Sequence, residues 1–581
     1  MGAGGMEVIR AARCSILEIS SSLSFHFALI DSPSANMWTS TCGLTGKPLQ
    51  WAITFTAVMG FSLFGYNQGM MSGLIAGTQF VIEFPVLAMP PGATKDTDIA
   101  TYKHINVLRG GVTACYEIGC FFGALFSMFY GEAIGRTRLI VAGATVLIIG
   151  AAISASPFGA QWGLGQFVVG RVISGIGNGL NTATIPVWQS ECSASHNRGL
   201  LVCFEGALIA VGTFIAYWVV FGLSYVEQSV QWRFPVALQI FFALIVLVGA
   251  MMLPDSPRWF VMRGHNQEAC EVLGKLKRES PDSDVVLNEF NFMKADVEMS
   301  KASQASWKVI FTGGKTQEFQ RLMLGCAGQF FQQFTGCNAA IYYSTLLFEE
   351  NLDLPKRLAL TMGGVFATVY ALATIPSFFM IEKVGRRKLY LIGFLGQGLS
   401  FVITFACLIK ETEENSKGAI VGIFLFIVFF AFTLLPLPWI YPPEINPLRT
   451  RTAGASASTC TNWITNFAVV MFTPLFAATS GWGVYLFFAL INFIGVPVAY
   501  FFFVETAGRE LEEIDIIYAK AHVEKRWPFM VANDLPKLNM EEITQQCREL
   551  GLDTNTAPGQ NELALGSGSS EDEVQEKQGK E

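Results

Sequence analysis

The sequence predicts an all-α membrane protein: twelve transmembrane helices in two pseudo-symmetric halves of six, with a cytosolic helical linker between helices 6 and 7. Three observations carry this. Of 581 residues, 51% are hydrophobic and only 15% charged, against about 25% charged in soluble domains. Twelve apolar runs each approach the roughly 20 residues that a helix needs to cross the hydrocarbon core. Charged motifs also recur about 250 residues apart.

In chain order, residues 1–46 read as a flexible extension, with an apolar run too short and interrupted for a signal peptide. Met37 stands just ahead of the first regular pattern as an alternative start. The first half (47–253) holds apolar runs at 51–77, 108–130, 139–156, 162–185, 200–222 and 235–253. Lipid offers no partners to backbone groups, so spans must be helices or closed barrels, and these runs are too long for barrel strands. The glycines of "RVISGIGNGL" (171–180) suit close helix contact. Residues 254–320 have the charge and period of short amphipathic helices, as in "NQEACEVLGKLKRE" (266–279). The second half (321–504) holds runs at 321–348, 358–381, 389–409, 418–440, 453–475 and 481–504. The tail (505–581) has 17 acidic and 8 basic residues, so it alone makes the chain acidic, and it reads as disordered from about Glu562.

Orientation follows from basic residues in short loops. Arg136, Arg138, Arg198, Lys383, Arg386, Arg387, Lys388, Arg449 and Arg451 follow spans 2, 4, 8 and 10, which places both termini and the linker in the cytosol. The charge distribution gives no nucleic-acid footprint. The twelve cysteines are scattered without a CxxC pair and read as small hydrophobes, not metal ligands.

The repeat is specific. "GEAIGRTR" (131–138) recurs as "IEKVGRRK" (381–388); Glu191 and Arg198 recur as Glu444 and Arg451; Asp255 has an echo in Glu505. Parallel six-helix halves around a midplane site are an architecture of secondary transporters.

The motifs "FGYNQGMMSGL" in span 1, "GEAIGR" after span 2, "GRVISGIGNG" in span 4, "PVWQSECSASHNRG", "PDSPRW", "QQFTGCNAAIYYS" in span 7, "EKVGRR", "PLPWIYPPEINPLRTR", "TNWITNF" and "VETAGRELEEID" occur in this order. Over about residues 47–525 the chain thereby resembles the sugar porters of the major facilitator superfamily, with fungal hexose and polyol transporters the nearest type.

A sugar offers hydroxyls and an apolar face, so its site calls for neutral amides and an aromatic surface. Span 7 carries Gln329, Gln332, Gln333 and Asn338. At about 100° per residue Asn338 leaves the face of Gln329 and Gln332 unless the helix breaks at Gly336. The resemblance implies that Gln332, Gln333, Asn338, Trp439 and Asn462 bind sugar, with Gln329 beside them. The alternative is that the amides bridge helices and that Trp439 is packing. Two departures matter: the span 5 glutamine of many relatives falls at Gly206, and the span 8 asparagine at Tyr370.

The charged motifs form a second set. Glu132, Arg136, Arg171, Glu191, Arg198, Asp255, Arg258, Glu382, Arg386, Arg387, Glu444, Arg451 and Glu505 are expected at the cytosolic helix ends. There, ion pairs joining the two halves would hold the inside shut and part as it opens. The alternative is a solvated topology signal. Coupling is a third question. Proton-coupled relatives have an acid where this chain has Asn67, so that position implies facilitated diffusion. Glu205 and Glu117 are carboxyls inside spans and are therefore candidates for coupling.

The expected function is transport of a monosaccharide (hexose or pentose) or related polyol, as a monomer in the plasma membrane, without cofactor or metal. Proton symport through Glu205 is the alternative, and a non-transporting sugar receptor a further one. No nucleophile–base motif or phosphate loop suggests an enzyme.

Overall fold

The computed structural model describes residues 39–552, apart from 40, 42, 91–96, 157–162, 194–197, 304–310, 312–313, 351–353, 411 and 448–449. Most of the N-terminal extension and the final stretch of the tail lie outside those residues.

The first six spans are α1 (Lys47–Ile75), α3 (Ile99–Ile134), α4 (Arg136–Ala155), α5 (Gly163–Cys192), α6 (Arg198–Leu223) and α7 (Val230–Met252). A short helix, α2 (Thr78–Glu83), follows α1. The linker forms α8 (Pro257–Arg263), α9 (Asn266–Lys277) and α10 (Asp284–Ser303). Spans 7, 8 and 10 are each built from two helices: α11 (Glu318–Phe334) with α12 (Cys337–Glu350), α13 (Lys356–Ala373) with α14 (Ser377–Val384), and α16 (Glu413–Phe432) with α17 (Leu437–Ile445). Spans 9, 11 and 12 are α15 (Arg386–Leu408), α18 (Arg451–Thr479) and α19 (Gly483–Phe502). The tail adds α20 (Leu511–Glu524), α21 (Pro528–Asp534) and α22 (Met540–Glu549).

Among the described residues, seven helices are by themselves long and apolar enough to cross a membrane, and the pair α13–α14, bent by 45°, makes eight. Spans 1, 4, 7 and 11 are outside that group, and each carries buried polar side chains: Asn67 and Gln68, Arg171 and Asn178, the span 7 glutamines, Asn462 and Asn466. These helices line the interior, so their sequences compromise between lipid and a polar centre. The other helices turn Phe129, Phe241, Leu399 and Leu490 outward, as a lipid-facing belt requires.

Within the first half, α5 packs closely on both α3 and α4. A Cβ at Gly175 would lie 2.2 Å from the Tyr116 carbonyl of α3, and one at Gly177 would lie 2.4 Å from the Gly143 carbonyl of α4. Glycine on both faces of α5 therefore lets three backbones meet, where association depends on packing because lipid is as apolar as the side chains. The linker helices join the first half's core through Trp259, Val272 and Leu273, while Tyr518 and Val531 of the tail join the second half's core.

Candidate functional site

The break in span 7 builds the centre. Gly336 sits at φ +95°, a backbone conformation costly for other residues, and separates α11 from α12. This brings Asn338 back to Gln333. Four amides then form a head-to-tail chain. Gln68 Nε2 donates to Asn338 Oδ1 (3.2 Å), Asn338 Nδ2 to Gln333 Oε1 (2.6 Å), and Gln333 Nε2 to Asn462 Oδ1 (2.6 Å). The chain crosses from the first half (Gln68) to the second. Gln68 stands in the span 1 motif, yet nothing in sequence spacing links it to a residue 270 positions away.

Gln329 and Gln332 do something different. Pro438 and Pro442 lack an N–H, which leaves the carbonyls four residues earlier, Leu434 and Pro438, without helical partners. Gln332 Nε2 donates to Leu434 O (2.8 Å) and Gln329 Nε2 to Pro438 O (2.8 Å). These two glutamines thus repair the proline-broken span 10, which is the helix-bridging alternative. Their signal was present in the sequence as "LPLPWIYPP", which had to be read together with the glutamines. Trp439 follows the break and is partly exposed. Tyr370 packs its ring against Phe430 (6.1 Å) in the second half's core.

The charged repeat is resolved on the linker side as two matching clasps. Arg136 pairs with Glu191 through both Nε (3.1 Å) and Nη2 (3.2 Å), and Arg386 pairs with Glu444 the same way (3.2 and 2.9 Å). Arg386 also grips Glu382 (2.8 Å). Asp255 accepts the Arg136 N–H (3.1 Å) and the Thr137 hydroxyl (2.9 Å), whereas Glu505 accepts the N–H groups of Arg386 (2.7 Å) and Arg387 (3.2 Å). Each acid thus caps the helix that begins 119 residues before it, in the same register in both halves. Burial pushes the Asp255 carboxyl above its ordinary value, while the Ser256 N–H, Thr137 and Arg136 pull it back.

Pairs joining the halves, expected to part as the inside opens, are not among these clasps. The clasps that form are each inside one half, tying together helix ends that must move as one body. Arg387 stacks over Tyr500 and Phe529 of its own half (5.0 and 4.9 Å). Glu132 takes part through its carbonyl, which accepts from the Trp259 indole (3.0 Å). Arg258 and Arg451 are half-buried, and the Arg198 side chain lies outside the described residues.

Arg171 departs from its expected place at the cytosolic helix ends. It stands about twenty residues before Glu191 on α5, roughly 30 Å away along the axis, so it is not at the linker side. It is fully buried, lies over the Tyr116 ring (4.4 Å) and donates Nη1 to Asn67 Oδ1 (3.3 Å). Beside it Glu117 accepts from the Tyr342 hydroxyl and from Asn466 Nδ2 (2.9 Å), two groups of the other half. Glu205 is buried on α6 and makes no hydrogen bond or ion pair among the described residues.

Hydrogen bonds between the halves gather toward the face opposite the linker. Ser72 meets Thr345 (3.1 Å), Tyr217 meets Ser344 (2.6 Å), Trp218 meets Thr368 (3.1 Å) and Lys356 meets Thr78 (3.0 Å). These four bonds tie the two halves together on that side.

The comparisons agree with this architecture. A family model described as "Sugar (and other) transporter" matches residues 53–518. The chain is 72% identical over 547 residues to the major facilitator superfamily transporter mfsA of Aspergillus fumigatus, covering 93% of this chain and all of that one. It is 54% identical to the sugar transporter STL1 of Saccharomyces cerevisiae, over 88% of this chain and 89% of that one. The proton:xylose symporter XylE of E. coli, solved with 6-bromo-6-deoxy-D-glucose, shares the fold with a TM-score of 0.67. That match is at 23% identity and covers 81% of this chain and 99% of that one. With two clasped six-helix halves meeting at a line of amides, and a family model spanning nearly all of both, the chain belongs to the sugar transporter family of the major facilitator superfamily.

Proposed function

We propose that the protein carries a monosaccharide or a related polyol across the plasma membrane by alternating access, as a monomer, with the linker and both termini in the cytosol. The observation that carries this reading is the amide chain Gln68–Asn338–Gln333–Asn462. It leaves an acceptor, Gln68 Oε1, at one end and a donor, Asn462 Nδ2, at the other. Such neutral groups exchange water for hydroxyls without the desolvation cost of a charge. Trp439, partly exposed after the break in span 10, is the aromatic surface of this reading. Relatives named as sugar transporters support the substrate class. Gly206 and Tyr370 remove two hydrogen-bonding positions, which favours a substrate with fewer recognised hydroxyls than glucose.

The bonds closing the face opposite the linker describe a carrier shut on the outside. The clasps keep each half rigid while the halves rock. Asn67 favours facilitated diffusion; the two buried acids, Glu117 and Glu205, support proton symport as a second reading.

Uptake of radiolabelled glucose, xylose, glycerol and sorbitol in a transporter-deficient yeast tests the proposal. Saturable uptake of at least one is expected; surface expression without uptake of any would sink it and favour a receptor. Collapse of accumulation by a protonophore would decide for symport. Gln68→Ala is expected to raise the apparent KM several-fold, at about 1 kcal/mol for one lost hydrogen bond, with expression unchanged. An unaltered KM would remove Gln68 from the site.

A further inference from the structure

We infer that Glu117, with Arg171 beside it, is the coupling-proton site of this carrier, and that its deprotonated form holds the outer side shut. The inference rests on the second reading above, proton symport, and names which of the two buried acids serves it.

Arg171 is fully buried, and its guanidinium does not shed its proton in proteins. Asn67 supplies one oxygen to Nη1, and the Tyr116 ring covers one face, yet Nε and Nη2 are buried without a partner. Neither Asn67 nor Tyr116 offers a negative charge. A buried cation without a counter-charge is very costly. Among the described residues, Glu117 on the adjacent helix is the carboxylate within reach of its field. The groups facing this cluster are Tyr116, Cys115 and Cys120 of α3, Asn67 of α1, Arg171 of α5, Tyr342 and Tyr343 of α12, and Asn466 of α18. Phenols and thiols stay neutral at ordinary pH in such surroundings, so Glu117 is the member whose charge can change.

Its contacts give that change a mechanical consequence. Both oxygens of Glu117 accept bonds donated by the second half, from Tyr342 and Asn466. A carboxylate accepts both; a carboxylic acid turns one oxygen into a donor and loses the charge that strengthens the other bond. Proton uptake from outside therefore loosens the contact between α3 and the pair α12–α18, and the outer side opens. When Tyr342 and Asn466 return, they favour the carboxylate and expel the proton. Glu205 has no such link between occupancy and the other half.

The test reads conformation and needs no identified substrate. Nitroxides on noncanonical side chains at the exposed positions Ile82 and Trp482, one in each half near the outer face, report separation in full-length protein in nanodiscs. Between pH 8 and pH 5.5 the long-distance population is expected to rise severalfold in the otherwise unmodified chain. Glu117→Gln should show the separated state at both pH values, and Glu205→Gln should keep the response. Should Glu117→Gln fail to fold, Tyr342→Phe, which retains the carboxyl, must raise the separated population at pH 8. A pH response that survives Glu117→Gln, or no response in the unmodified chain, overturns the site. An intact response in a protein that takes up no sugar upholds the proton site while ending the transport reading.

Discussion

Gly385→Ala is expected to leave little folded protein in the membrane. Gly385 has φ +94°, and a Cβ there would lie 2.3 Å from Glu505 Oε2. An alanine meets two costs at once: about 1–3 kcal/mol for the backbone conformation, and the displacement of the carboxylate that caps α15. With Glu505 displaced, the N–H groups of Arg386 and Arg387 lose their acceptor, and about 1 kcal/mol more goes with the cap. Gly135 has the same geometry at φ +106°, with Asp255 Oδ2 at 2.8 Å, so Gly135→Ala should be severe but somewhat milder. Fluorescence-detected size exclusion of tagged protein checks this. A monodisperse peak of normal height for Gly385→Ala would show that the glycine is not needed for the clasp.

Gln333→Ala is expected to lower uptake at least tenfold at limiting substrate. Gln333 holds both neighbours in the amide chain, at 2.6 Å each. Its loss removes the proposed sugar ligand and also frees Asn338 and Asn462 to turn away. Two hydrogen bonds at about 1 kcal/mol each correspond to a factor of ten or more in affinity. Gln332→Ala should behave differently. Its donor serves the Leu434 carbonyl, so the loss should fall on the amount of folded protein more than on KM. Measuring both, with uptake normalised to surface protein, separates the proposed binding role of Gln333 from the repair role of Gln332; equal KM effects would contradict that division.

Much of the fold was legible because its causes are local or periodic. Apolar runs reveal spans whatever their neighbours, and the repeat reveals two halves because the same local device, a glycine turn followed by arginine, is needed twice. The break at Gly336 was also readable, since a glycine between amide positions and aromatics is a local backbone statement. The site was legible in part. Gln333, Asn338 and Asn462 meet, as their residue types and motifs suggested. Gln329 and Gln332, in the same motif, repair span 10, because the orphan carbonyls they serve are created by prolines about a hundred residues later. Arg171 read as one more charge in a cytosolic set, since a sequence gives depth only by counting along the helix.

By itself, then, the sequence determined the membrane class, the number of spans and the duplication, and it marked Gly336 as the place where span 7 could break. These follow from hydropathy, backbone hydrogen bonding and glycine's freedom at positive φ. Only the tertiary structure decided what each charge and amide touches. It showed a clasp within each half, joined Gln68 to the amides of span 7, and set Glu117 against Tyr342 and Asn466 within the field of Arg171. The physical reason is that a polar group in lipid acts through the partner that satisfies it, and here those partners stand fifty to three hundred and fifty residues away along the chain.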